Sequence, residues 1–187
     1  MDKVPTSWSP DGKFVLYFTG GGPRNELFVL PLTPDRAREP LMPRRLLNTG
    51  FNEMFGQFSP DGRWVVYSSD LSGQSEIYVT PFSRPSEKHR ISPNGGGRPR
   101  WRRDGKELYY VALDGKLMAT ETRISETNVE AGPPHALLTI TGYSPFAAGY
   151  PYEISPDGQR ILTSIPVGDA AIEPVTLVQN FTGALKK

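Results

Sequence analysis

Hydrophobic residues occur along this chain in short runs, separated by polar segments rich in glycine and proline. The runs at 64–67 and 77–79 are typical, since they consist of β-branched and aromatic residues that favour strands. No segment repeats its apolar residues with the period of a helix, and proline is too frequent for long helices. We therefore predict an all-β protein with almost no α-helix.

A short motif recurs four times and divides the chain into units of similar length. In each copy an apolar residue leads into a tight turn containing Asp-Gly, and a strand-like run follows. The four pairs are Asp11-Gly12, Asp61-Gly62, Asp104-Gly105 and Asp157-Gly158. A repeat of roughly 40 to 50 residues with several short strands per unit is typical of propeller blades. We therefore predict a β-propeller of four-stranded antiparallel blades.

About four blades are present, at residues 4–48, 54–92, 98–139 and 149–181. The fourth unit supplies three strands, and the segment after them is too short and polar for a convincing closing strand. We therefore expect a partial ring with exposed blade faces and a free strand edge, which favour contact with other chains. We favour a fragment of a larger ring, and we expect this fragment to self-associate in isolation; a strained four-bladed closure is the alternative.

The recurring turn has a clear mechanism. In three copies proline precedes the Asp-Gly pair and presets φ for the first corner of a type I turn. The aspartate accepts a backbone hydrogen bond, and the glycine takes the left-handed conformation that closes the hairpin. The aromatic residue before each turn, Trp8, Phe58 or Trp101, is expected to pack between neighbouring blades.

Composition narrows the range of functions without choosing one. The 187 residues carry 21 Lys and Arg against 20 Asp and Glu, a net charge of +1. This balance does not suggest nucleic acid or an anionic membrane as a partner. The sequence shows neither a membrane span nor a signal peptide, and it leaves the compartment open, including an extracytoplasmic one in a bacterium.

The familiar catalytic motifs are missing from the sequence. Cysteine is absent, which excludes a thiolate metal site and a cysteine nucleophile. His89 and His135 fall in different units, too far apart to indicate a zinc site. The sequence contains neither a Gly-x-Ser-x-Gly elbow nor a phosphate-binding loop. We therefore expect no cofactor, no metal and no enzymatic activity.

The expected ligand-binding surface is the loop face at one mouth of the central channel, where exposed aromatic side chains make good anchors. The candidate residues are Asn52, Glu53, Arg98, Arg100, Tyr143, Phe146 and Tyr150. Four arginines between 98 and 103 surround Trp101, and a small anion would bind here if anywhere. Strand alternation splits their charges between two faces, so a solvated or channel-lining group is favoured over a nucleic-acid site.

The second unit contains Phe-Ser-Pro-Asp-Gly-Arg at 58–63, Ser-Asp at 69–70 and Glu-Ile-Tyr-Val at 76–79. With these segments it resembles the WD40-like β-propeller repeat of the TolB type. Segments 97–119 and 174–187 are similar to the C-terminal propeller of bacterial signalling proteins, in which a serine/threonine kinase or winged-helix domain precedes the propeller. The resemblance covers nearly the whole chain and implies no catalytic residue. The chain departs from the pattern at Arg102-Arg103, where the motif has Ser-Pro.

These observations favour a binding or scaffolding module, the sensory part of a bacterial signalling protein, which contacts a protein or peptide through its loop face. The alternative is an accessory propeller that gates or positions substrate for a hydrolase or peptidase. A metal-dependent lactonase with its site in the channel is the least favoured class, because a ring of acidic, amide and histidine ligands is not evident. Nucleic acid and direct membrane insertion are not expected.

Overall fold

The computed structural model describes residues 2–33, 40–143, 149–164 and 175–179. Its regular elements are sixteen strands, and these residues contain no helix, so the all-β prediction is confirmed. Accordingly, no helix within the described ranges is long and apolar enough to cross a membrane.

The strands form four antiparallel sheets in chain order. The first sheet contains β1 (Asp2–Trp8), β2 (Phe14–Gly20), β3 (Leu27–Pro31) and β4 (Arg44–Arg45). The second contains β5 (Glu53–Phe58), β6 (Trp64–Ser69), β7 (Glu76–Pro81) and β8 (His89–Arg90). The third contains β9 (Gly97–Trp101), β10 (Glu107–Val111), β11 (Lys116–Ile124), β12 (Val129–Ala131) and β13 (His135–Thr139). The fourth contains β14 (Tyr152–Ile154), β15 (Arg160–Ser164) and β16 (Val175–Gln179).

The third sheet has a fifth strand that the sequence pattern does not predict. Strand β11 is longer than the corresponding strands of the other sheets, and its two halves pair with different strands. Its first half pairs with β13, and its end pairs with β12 in the register Thr122↔Ala131. The extension buries Val129 beside the second and third sheets, so it adds to their shared core.

The sheets stack face to face, with one hydrophobic layer between each successive pair. Leu16, Val66 and Tyr109 occupy the same position of the repeat and are fully buried. Each belongs to the cluster that its sheet shares with the next sheet in the chain. The first strands β1, β5 and β9 contact one another, so they line the inside of the arc. We call the surface of β1, β5, β9 and β14 the inner wall.

The turn of the second unit shows how the repeated motif works. The Ser59 hydroxyl donates to Asp61 at 2.6 Å and accepts the Trp64 N–H at 3.0 Å. Asp61 also accepts the backbone N–H of Arg63 at 3.0 Å. Gly62 has a φ of 72°, and its N–H donates to the Ser59 carbonyl at 2.9 Å. Serine, aspartate and glycine are therefore each required by a separate bond or backbone angle.

The third turn reaches the same shape with arginine in place of serine. Arg102 donates to both carboxylate oxygens of Asp104, at 2.7 and 2.9 Å, and its remaining nitrogen donates to Glu107 at 2.9 Å. These hydrogen bonds from Arg102 lower the pKa of Asp104. The departure from the Ser-Pro pattern thus replaces a hydroxyl contact with a bidentate ion pair.

The prediction that the three turn aromatics are core residues is wrong for Trp8. Phe58 and Trp101 are 4% and 7% exposed because each packs between its own sheet and the preceding one. Trp8 is 64% exposed, since within the described residues the first sheet is the outermost sheet of the arc.

Candidate functional site

A backbone distortion interrupts the inner wall at the same repeat position in two sheets. Phe55 and Arg98 have φ values of 56° and 54°, in the left-handed region, and the strand register shifts beside both. The simple alternation expected for the arginines around Trp101 is therefore wrong, because a bulge changes which face the following residues occupy.

Arg98, which belongs to the arginine group expected to be solvated or channel-lining, is buried at the inner wall. Its Nε donates to the Gly149 carbonyl at 2.7 Å, and its Nη1 donates to the Tyr143 hydroxyl at 2.7 Å. The guanidinium carbon also lies 4.9 Å from the centroid of the Phe55 ring. Arg98 thus joins the second and third sheets to the segment that leads into the fourth. Both Tyr143 and Arg98 have structural contacts here.

The buried Tyr152 and the partly buried Tyr150 fasten the fourth sheet to the bulges. The Tyr152 hydroxyl donates to the Arg98 carbonyl at 2.8 Å. The Tyr150 hydroxyl lies 3.2 Å from the Phe55 carbonyl oxygen and 3.3 Å from that of Pro99. Burial raises the pKa of both tyrosines, so both hydroxyls remain protonated donors at neutral pH.

Arg100 lies beside these tyrosines with 21% of its side chain exposed. Its guanidinium carbon lies 3.9 Å from the centroid of the Tyr150 ring, and its Nη2 is 2.8 Å from a carboxylate oxygen of Glu153. The Arg100 Nε is buried and has no hydrogen-bond partner among the described residues. A cavity of about 400 Å³ opens beside this pair; its lining includes Tyr150, Tyr152 and Leu162.

A second cavity lies at the end of the inner wall where the Asp-Gly turns meet. It has a volume of about 430 Å³, and all four sheets contribute to its lining, with Trp8, Phe58, Trp101 and Ile154 among the apolar residues. Glu153 lines both cavities, so the ion pair stands between them. The two cavities are therefore neighbours on either side of Glu153.

Asn52 and Glu53 make their contacts in a different part of the fold. Asn52 donates from its backbone and its side chain to Asp70, at 2.8 and 2.6 Å, and accepts the Asn25 N–H at 3.0 Å. Glu53 is buried and accepts a hydrogen bond from the Thr49 hydroxyl. Their polar groups therefore tie loops of the first and second sheets together. Of the predicted residues, the structure brings together Arg98, Arg100, Tyr143 and Tyr150, and Phe146 lies outside the described residues.

The sequence analysis missed the acidic partner of Arg100. Ser7, Gln57, Arg100 and Glu153 occupy one position of the repeat, and each projects a polar group along the inner wall. Ser7 accepts the Phe58 N–H at 3.1 Å, and Gln57 accepts the Trp101 N–H at 2.7 Å, so this position joins each sheet to the next. Aligning the four units at their aspartates shows this polar row, which was the available signal for Glu153.

No protein-family model matches the chain, and no curated protein sequence matches it significantly. Solved propeller structures do match. TolB from Acinetobacter baumannii aligns with a TM-score of 0.62 at 20% identity, covering 96% of this chain and 41% of that one. An oligogalacturonate lyase in complex with manganese gives 0.61 at 17% identity, covering 93% and 47%. The periplasmic gluconolactonase of Pseudomonas aeruginosa gives 0.54 at 16% identity, covering 94% and 57%.

These likenesses define the class of protein: the chain is a β-propeller with a TolB-like fold. It covers between 41% and 57% of the length of the three structures, in agreement with a partial ring. At these identities the likeness shows the fold alone. The expected kinase or winged-helix partner domain and the alternative role beside a hydrolase both stay predictions.

The expectation that the chain is not an enzyme is contradicted by the same comparisons. A lyase and gluconolactonases share its propeller fold, as TolB does. The inference failed because it relied on the absence of sequence motifs. Catalytic groups in propellers can come from separate blades, and such groups need not form a local motif.

Proposed function

We propose that this propeller binds a protein or peptide segment along its inner wall, with Arg100 contacting a carboxylate of that segment. The observation that carries the proposal is the arrangement of Arg100, which lies over the Tyr150 ring and is paired with Glu153 where two cavities adjoin. Arginine suits this role because its planar guanidinium can bond a carboxylate through two nitrogens.

Glu153 explains how the site remains stable when it is empty. Its side chain is 55% exposed, whereas that of Arg100 is 21% exposed, so the carboxylate can turn away more readily than the guanidinium. An incoming carboxylate would replace Glu153 at the Arg100 Nη2. The charge of Arg100 is then neutralised in both states, which avoids leaving a partly desolvated cation unpaired.

Competition with Glu153 also selects the kind of ligand. A small free anion gains little by displacing a carboxylate that is already tethered beside Arg100. A peptide gains more, because its neighbouring side chains can enter the cavities lined by Tyr150, Leu162 and Trp101. Cavities of about 400 Å³ are at the small end of the range for ligand sites, a size suited to individual side chains. We therefore expect an acidic residue flanked by apolar residues.

Two matched peptides test the proposal: acetyl-Leu-Glu-Leu-amide and acetyl-Leu-Gln-Leu-amide. Titrated into isotope-labelled protein, the Glu peptide should shift the Arg100 Nε–H and the Tyr150 backbone resonances in NMR spectra. The Gln peptide should bind at least about tenfold more weakly, because it lacks the charge. Arg100→Gln should abolish this preference. Arg44→Gln is the matched control, since Arg44 is exposed, lines neither cavity and forms no ion pair within the described ranges. Equal binding of both peptides, or an unchanged preference in Arg100→Gln, would refute the proposal.

A further inference from the structure

The loop that joins β8 to β9 contains an asparagine followed directly by a glycine, and this pair, Asn94-Gly95, occurs only once in the sequence. The side-chain amide of an asparagine can react with the backbone nitrogen of the next residue. Glycine hinders this attack least, because it has no side chain and its backbone is the least restricted. The reactive pair lies in the connection between the second and third sheets.

The Asn94 side chain is free to react. It is exposed and forms no hydrogen bond within the described residues. Asn52 differs in this respect, because its side-chain amide donates to Asp70 at 2.6 Å and its oxygen accepts from Asn25. Attack on the side-chain carbon of Asn94 therefore displaces no other protein group.

The backbone nitrogen of Gly95 is also without a hydrogen bond. In each of the four Asp-Gly turns, the glycine N–H donates to the carbonyl three residues earlier; these glycines are Gly12, Gly62, Gly105 and Gly158. Gly95 has a similar left-handed conformation, with a φ of 82°, but its N–H has no acceptor in the part of the chain that the structure describes. The attacking nitrogen thus has no hydrogen bond to break.

The fold itself requires the glycine that makes Asn94 reactive. The φ of 82° is unfavourable for a residue with a side chain. An added Cβ would lie 2.6 Å from the Leu113 side chain and 3.1 Å from the Ser75 carbonyl oxygen. The Leu113 side chain can move, whereas the Ser75 backbone is held by its own hydrogen bond to Gly96.

We propose that Asn94 is a site of spontaneous deamidation. The Gly95 nitrogen bonds to the side-chain carbonyl carbon of Asn94 and loses its proton, and the side-chain nitrogen takes up a proton and leaves as ammonia. The product is a five-membered succinimide, which one water molecule opens. Opening at the side-chain carbonyl gives aspartate, and opening at the main-chain carbonyl gives isoaspartate.

The two products differ in their effect on the neighbouring contacts. Both carry a negative charge at neutral pH, but isoaspartate also adds one atom to the main chain before Gly95. Gly96 donates to the Ser75 carbonyl at 2.7 Å and accepts the Ser75 hydroxyl at 2.9 Å, which ties the start of β9 to the second sheet. We expect isoaspartate to weaken these contacts and aspartate to leave them intact.

Incubation of the chain at mildly alkaline pH, followed by trypsin digestion and mass spectrometry, tests the proposal. The peptide that contains Asn94 should gain about 1 Da and separate into two chromatographic forms. Asn48 is the internal control, since it is also exposed but precedes the β-branched Thr49, and it should react at least about tenfold more slowly. Asn94→Gln should abolish the change in its peptide.

The same incubation in urea separates the effect of the fold from that of the dipeptide. Because no hydrogen bond has to break, Asn94 in the folded chain should react within about tenfold of its rate in the unfolded chain. An Asn94 that stays intact in the folded chain while the unfolded chain reacts would overturn the proposal.

Urea unfolding of the separated products tests the effect on β9. Asn94→Asp is the matched control, because it carries the charge on a main chain of normal length. The isoaspartate form should unfold at a lower urea concentration than Asn94→Asp, and Asn94→Asp should match the unmodified chain. Equal midpoints for the isoaspartate form and Asn94→Asp would overturn the inferred effect on the Ser75 contacts.

Discussion

The guanidinium of Arg100 lies 3.9 Å above the ring of Tyr150, while the Tyr150 hydroxyl reaches the carbonyl oxygens of Phe55 and Pro99. The ring of Tyr150 therefore supports the proposed binding residue, Arg100. The hydroxyl of Tyr150 joins the second and third sheets to the segment that leads into the fourth. The ring and the hydroxyl can be tested separately, because phenylalanine keeps the first and removes the second.

We expect Tyr150→Phe to lower the free energy of unfolding by about 1 kcal/mol, the usual cost of losing one buried hydrogen bond. Tyr150→Leu should lower it by about 3 kcal/mol, since it also removes a buried ring. Urea denaturation measures both changes. Binding of the acidic peptide should survive Tyr150→Phe and weaken in Tyr150→Leu, and identical behaviour of the two variants would show that the ring face contributes nothing.

Arg98 is expected to stabilise the folded chain. Replacing it by leucine removes the donors to Gly149 and Tyr143 in a buried setting, so we expect a loss of about 2 to 4 kcal/mol. The matched control is Arg103→Leu, at an exposed site, with an expected change within about 0.5 kcal/mol. Thermal or urea unfolding of both variants gives the comparison. Similar effects in the two would mean that the Arg98 contacts are not important for folding.

The repeated turns made the four units predictable, because Ser59, Asp61 and Gly62 each act within a few residues of sequence. The bulge at Arg98 could not be predicted, since a left-handed arginine is held by contacts with Tyr143 and Gly149, which are distant in the chain. For the same reason the burial of Arg98 could not be predicted. The exposure of Trp8 likewise depends on a neighbouring sheet and not on its own motif, which matches those of Phe58 and Trp101.

Glycine is required at position 62 because of the backbone conformation of the turn, and not because space around it is limited. Its φ of 72° is unfavourable for a β-branched residue, while an added Cβ would meet only Pro10 at 3.4 Å. We expect Gly62→Val to cost about 1 to 3 kcal/mol. Gly20→Val is the control, because Gly20 has an ordinary φ and no atom within 4 Å of the added Cβ, and it should change stability by about 0.5 kcal/mol or less. Equal losses in unfolding experiments would exclude backbone strain as the cause.

The stability of the fold should depend on the protonation of Glu53. Burial raises the pKa of this carboxyl above its ordinary value of 4.5, and the hydrogen bond from Thr49 opposes the shift only in part. The folded state therefore binds this proton more tightly than the unfolded state does. The corresponding stability is fully present below pH 4.5 and is lost as the pH rises through the folded-state pKa.

Glu53→Gln keeps the side chain neutral at every pH and can still accept from Thr49. We expect this variant to be more stable than the wild type at neutral pH, with the difference shrinking as the pH falls toward 4.5. Urea denaturation of both chains between neutral pH and pH 4.5 measures the difference in their free energies of unfolding. Groups that titrate alike in both chains do not contribute to this difference. Glu121→Gln, at an exposed position on β11, should follow the wild type throughout. A stability difference between Glu53→Gln and the wild type that stays constant with pH would show that Glu53 does not titrate abnormally in the folded chain.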